Sequence, residues 1–90
     1  MTPTERAERA QMLLSDALLK EAFAAIRTGL VTRLESVPIG DVETQHETVL
    51  MLQLLKQVRS QLELYVSEGA LEKHKRKQET FMERIREKLA

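Results

Sequence analysis

The chain has no cysteine. That excludes disulfides, thiolate catalysis and zinc sites built on thiolate ligands. The cytosol is the simplest compartment for such a chain. Aromatic residues are scarce: Phe23, Tyr65 and Phe81 are the only three in 90 residues. Rings bury large areas and anchor ligand pockets, so neither a deep small-molecule site nor a cofactor is expected. Three glycines and two prolines leave little punctuation, which predicts few and long elements. No apolar run approaches the roughly 20 residues that cross a bilayer. Met1 to Ala10 is charged and mixed in sign, unlike a secretory signal. Membrane insertion is therefore not expected.

What is present is helix-forming: Leu, Ala, Glu, Lys, Arg and Gln dominate. Ninety residues make one domain at most, near the lower limit for a self-sufficient core. Net charge is zero but unevenly spread. Residues 41 to 69 carry two positive and five negative side chains, and residues 70 to 90 carry seven positive and four negative. The acidic middle and the basic end attract each other, within one chain or between chains.

Thr2-Pro3-Thr4-Glu5 reads as a capped helix start, with Pro3 at the first helical position and Glu5 completing a capping box. Met12, Leu19, Phe23, Ile26, Leu30, Leu34 and Val37 then recur at helical spacing. Gly29 interrupts this helix at a cost of about 1 kcal/mol relative to Ala and marks a close contact or a slight bend. Ser15-Asp16 offers a second start, so the alternatives are one helix over about 3–36 or a short arm followed by a helix from about Asp16. Val37-Pro38-Ile39-Gly40-Asp41 is the clearest break, with Gly40 supplying freedom for a reversal and Asp41 an N-cap. The second helix is expected over about 42–68, closed by Gly69 as a C-terminal cap. Its centre, Val49 to Leu55, is apolar nearly all round and must be covered on more than one side. A third, more polar helix over about 70–89 carries Leu71, Lys75, Gln78, Met82, Ile85 and Leu89 at coiled-coil spacing. The expected fold is all-α: a long antiparallel hairpin, turning at 37–41, with a third C-terminal helix. A single hairpin leaves its apolar surface half covered, so a homo-oligomer is expected, through Val49, Leu50, Met51, Leu52, Leu54, Leu55, Val58 and Leu62.

Catalytic constellations are not found. Ser15, Ser36, Ser60 and Ser67 lie in ordinary helix or helix-end contexts, without the base and orienting group that a nucleophile needs. No phosphate loop or dinucleotide fingerprint occurs. Glu43 and His46 share a helix face, but a metal site needs three or four ligands, so none is expected. Lys73-His74-Lys75-Arg76-Lys77 is the densest charge cluster. Lys73, Lys75, Arg76 and Lys77 are candidate phosphate contacts, with Lys75 pointing away from the other three. No ring is interleaved to stack on bases. The alternative is a solvated basic helix, or a surface that seeks the acidic segment 41–69.

Two stretches, Leu13-Leu14-Ser15-Asp16-Ala17-Leu18-Leu19-Lys20-Glu21-Ala22-Phe23 and Leu52-Gln53-Leu54-Leu55-Lys56-Gln57-Val58-Arg59-Ser60-Gln61-Leu62-Glu63, flank the Pro-and-Asp turn. With Glu68-Gly69-Ala70-Leu71 they resemble a family of small tailed-bacteriophage proteins encoded among DNA-packaging and head-assembly genes. The resemblance covers most of residues 10 to 72 and rests on helix-pattern motifs. It implies a non-enzymatic part in building phage particles, in the host cytoplasm or within the virion. One version is a small-terminase-like hairpin that forms a ring beside DNA. Such proteins usually add an N-terminal helix-turn-helix domain, and the ten to fifteen residues before the first long helix leave no room for one. The leading expectation is an oligomer acting through protein–protein contacts with phage or host proteins. The alternatives are a nucleic-acid-binding module using the basic C-terminal helix, and a phage-encoded inhibitor of a host protein.

Overall fold

The structure, a computed structural model, describes residues 1–89. Among them are three helices and no strand: α1 (Pro3–Ser15), α2 (Ala17–Ser36) and α3 (Val42–Leu89). The all-α hairpin with a third helix is thus as expected. The third helix, however, lies at the other end of the chain. The N-terminal limb is divided at Asp16, and the C-terminal limb is one unbroken helix of 48 residues.

Each start is capped as its residues dictate. The Thr2 hydroxyl accepts from the Glu5 amide at 3.1 Å, ahead of Pro3. Asp16 sits in extended backbone between α1 and α2. Its amide donates to the Leu13 carbonyl at 3.2 Å, and its carboxylate accepts from the Leu19 amide at 2.7 Å. One residue thereby ends one helix and begins the next, which selects the arm-plus-helix alternative over a continuous 3–36 helix. The local gain of a cap, about 1 kcal/mol, compensates for the interrupted ladder.

The reversal at 37–41 is held by side chains. Gln45 Nε2 donates to the carbonyls of Pro38 (3.0 Å) and Ile39 (3.1 Å). The Asp41 amide donates to the Pro38 carbonyl at 2.9 Å. Among the described residues no glycine or other residue has positive φ, so Gly40 does not use the freedom expected of it. Extended geometry around Pro38 and the Asp41 cap turn the chain instead.

Gly69 does not end a helix. It is buried inside α3, with ordinary helical φ, and Ala70-Leu71-Glu72 continue the helix. The segment expected as a separate helix over 70–89 is therefore the far end of α3. At 1.5 Å per residue, 48 residues run about 72 Å, which accounts for the 75 × 26 × 18 Å shape. α2 packs beside α3 near the turn, and α1 packs beside residues around 62–72.

The Thr44 hydroxyl, then its amide, hold the Asp41 carboxyl below its ordinary range, aided by Arg33 and opposed by slight desolvation. A carboxylate depressed in the folded state stabilises fully above its unfolded pKa, near 4, and loses that contribution as pH falls through the folded value. Asp41→Asn keeps a capping side chain but lacks this linkage. In thermal melts between pH 6 and pH 2.5, the parent should lead the variant at pH 6, and the gap should close on acidification.

Candidate functional site

The covered face of α3 follows from its pattern. Gln45, Thr48, Leu52, Leu55, Leu62, Val66 and Gly69 fall on one 3–4 spaced line, and all are buried or half-buried. Thr48 is fully buried, its hydroxyl donating to the Thr44 carbonyl at 2.7 Å. Leu19, Phe23, Leu30, Leu34 and Val37 are half-buried, whereas Met12 and Ile26 of the expected stripe are exposed.

The tightest contact joins α1 to α3. Among the described residues, Ala7 and Ala10 are the buried apolar ones. A Cβ on Gly69 would overlap the Ala7 Cβ and stand 3.2 Å from the Pro3 carbonyl oxygen. Two small faces let the backbones approach closely. Beside this contact, Arg6 lies over the Tyr65 ring, 4.2 Å from its centroid, and its Nη2 donates to Glu68 Oε2 at 2.6 Å. Both ends of the ion pair are about two-fifths exposed, so solvent screens it and it contributes at most about 1 kcal/mol. The small-residue contact is the stronger positional constraint. Sequence reasoning missed it, and of the two alternatives at Gly29, a close contact or a slight bend, the close contact does not occur, since a Cβ there would meet nothing within 4 Å. The available signal was Ala7 and Ala10, three apart, in an arm too short to fold alone.

The eight expected interface residues divide between two faces. Leu52, Leu55 and Leu62 face the covering helices. Val49, Leu50, Met51, Leu54 and Val58 are exposed, Leu54 at 60%. The apolar centre of α3 is therefore covered on one side and bare on the other.

Beyond the level of Pro3, α3 continues alone. Lys73, Lys75, Arg76 and Lys77 lie at the root of this projecting arm, all exposed. Arg76 Nε pairs with Glu72 at 3.4 Å. A shallow groove of about 420 Å³ lies along Arg76, Lys77, Thr80, Phe81 and Arg84, joining Arg84 to the basic side. Lys75 stands apart, in a second groove with Pro3, Arg6, Glu68, Leu71 and Glu72. His74 is bonded to Gln78 at 3.1 Å. Among the described residues, no three His, Asp or Glu side chains are grouped to hold a metal, and no helix is long and apolar enough to cross a membrane.

Comparison with protein-family models, with curated proteins and with solved structures finds no match.

The two glycines should respond oppositely to one substitution. Gly29→Ala, in open space on α2, should raise stability by up to about 1 kcal/mol. Gly69→Ala should lower it by about 1–3 kcal/mol through overpacking, less its gain in helix propensity. Amide exchange should locate the second effect, with protection of residues 3–15 falling while that of α3 near the turn persists.

Proposed function

We propose that this chain is a non-enzymatic assembly protein that acts by helix–helix contact, beginning with contact between its own copies. The observation that carries the reading is the bare apolar side of α3 at Leu50, Met51, Leu54 and Val58, beside an intramolecular core of only a few buried residues. A chain of this size gains little stability from so small a core, and association supplies the missing burial. The biological setting we propose is bacteriophage DNA packaging or head assembly. It rests on the resemblance of residues 10 to 72 to small phage packaging-cluster proteins.

One observation favours a second reading. The projecting end of α3 carries Lys73, Arg76, Lys77 and Arg84 on one side, with the exposed ring of Phe81 in the same groove. A basic face on an exposed helix suits nucleic-acid phosphates. The two readings are compatible if assembly uses the apolar side and leaves the basic side free.

Light scattering after size exclusion, at 50 mM and 500 mM salt, tests the first reading. The expected result is one closed oligomer at both concentrations, reduced to smaller species by Leu54→Glu. A monomer with intact helicity would refute it. In a phage, the same substitution should leave heads unfilled or unassembled in electron micrographs of lysates. The second reading predicts duplex DNA binding that weakens steeply with salt and is lost when Lys73, Arg76 and Lys77 become Gln. Absence of binding at 50 mM salt would exclude it.

A further inference from the structure

α3 carries a second line of apolar residues, separate from the covered one. Leu50, Leu54, Leu64, Leu71, Met82 and Leu89 are all exposed, and Ile85 is half-exposed. With Gln57, Gln61, Glu68, Lys75 and Gln78 between them, they follow strict alternate steps of four and three from Leu50 to Leu89. This line is displaced by two positions from the covered line, for example from Thr48 to Leu50 and from Leu62 to Leu64. Two positions are about 200° around a helix, so near the turn the second line lies on the far side from α2, and farther along it borders α1, where Glu68 pairs with Arg6 and Leu71 and Lys75 share a groove with Pro3 and Arg6. A strict heptad line drifts about 20° per heptad on a straight helix and stays together only when the helix winds around a partner. The line runs 40 residues, and seven of its twelve positions are apolar.

We propose that a second copy of the chain docks on this line, antiparallel, with the two-fold axis between Gly69 and Ala70. The inference rests on the self-assembly reading and specifies its surface and direction. Direction follows from charge. A parallel, in-register pair sets Glu68 against Glu68 and Lys75 against Lys75 within the line itself, with like charges repelling. An antiparallel pair about residue 69.5 removes both like-charge contacts, setting Lys75 opposite Leu64 and Glu68 opposite Leu71.

Register follows from the apolar positions. About this axis Leu50 faces Leu89 of the second copy, Leu54 faces Ile85, Gln57 faces Met82, and Gln61 faces Gln78. Sliding one heptad one way sets Ile85 and Leu89 against Glu47 and Glu43. Sliding the other way sets Leu89 and Ile85 against Gln57 and Gln61. In the favoured register, the projecting arm of each copy covers the bare side of the other copy's α3. Each α3 is then enclosed between its own hairpin limb and its neighbour's arm. The basic side of the arm, Arg76, Lys77 and Arg84, stays outward.

The absence of cysteine makes a clean test possible. Gln61→Cys and Gln78→Cys are exposed substitutions in the full-length chain. In the proposed pair, residue 61 of one copy meets residue 78 of the other, whereas the two residues 61 lie about 25 Å apart at 1.5 Å per residue. Oxidation of an equimolar mixture should give a disulfide-linked heterodimer on a non-reducing gel, and neither variant alone should cross-link. Cross-linking of Gln61→Cys with itself would show a parallel pair and overturn the proposal. An oligomer by light scattering with no cross-link in the mixture would show assembly through another surface, overturning the proposal but not the self-assembly reading. A monomer would overturn both.

Discussion

The structure depends on one constraint: α3 is apolar over more of its circumference than one neighbouring helix can cover. A helix of 48 residues held on one side only is a scaffold with an unfinished surface. In the self-association reading proposed above, burial that the hairpin does not supply comes from contact with another copy.

The two faces of α3 differ in kind. The covered one tapers from Thr48 and Gln45 beside the turn, through Leu52, Leu55 and Leu62, to Gly69. Polar side chains there satisfy backbone carbonyls near the corner, and a missing side chain at the other end admits α1. The bare face is built of leucines spaced by glutamines. Glutamine in such a line costs stability but constrains register, because its amide needs a polar partner. The arm continues the bare line and not the covered one: extending the covered spacing past Gly69 meets Lys73, Arg76, Thr80 and Glu83. The end of α3 is thus polar on the side of its own hairpin and apolar on the other.

Much of this was legible in the sequence. Helical class, the Pro38 corner, the Thr2, Asp16 and Asp41 caps and the apolar centre of α3 all follow from local chemistry. What was not legible depended on partners distant in the chain. Gly69 carries the same local signal whether it ends a helix or admits a neighbour, and only Ala7, 62 positions away, distinguishes them. Likewise Leu52 and Leu54 are indistinguishable by type, and their different exposure is set by where α2 lies. Gly29 and Gly40 misled for the converse reason: glycine permits close approach and left-handed backbone without requiring either.

The divided N-terminal limb has a kinetic consequence. Contacts across the corner close a short loop, whereas the Arg6–Glu68 contact joins residues 62 apart. Closing that distance in one step carries a larger entropic cost than closing it after α2 has aligned. Folding should therefore advance from Pro38 outward, with α1 docking last. The Asp16 joint lets α1 settle, or release, without remelting α2. The small faces of Ala7 and Gly69 then act as the final registration point, where the growing hairpin fixes how far it has closed.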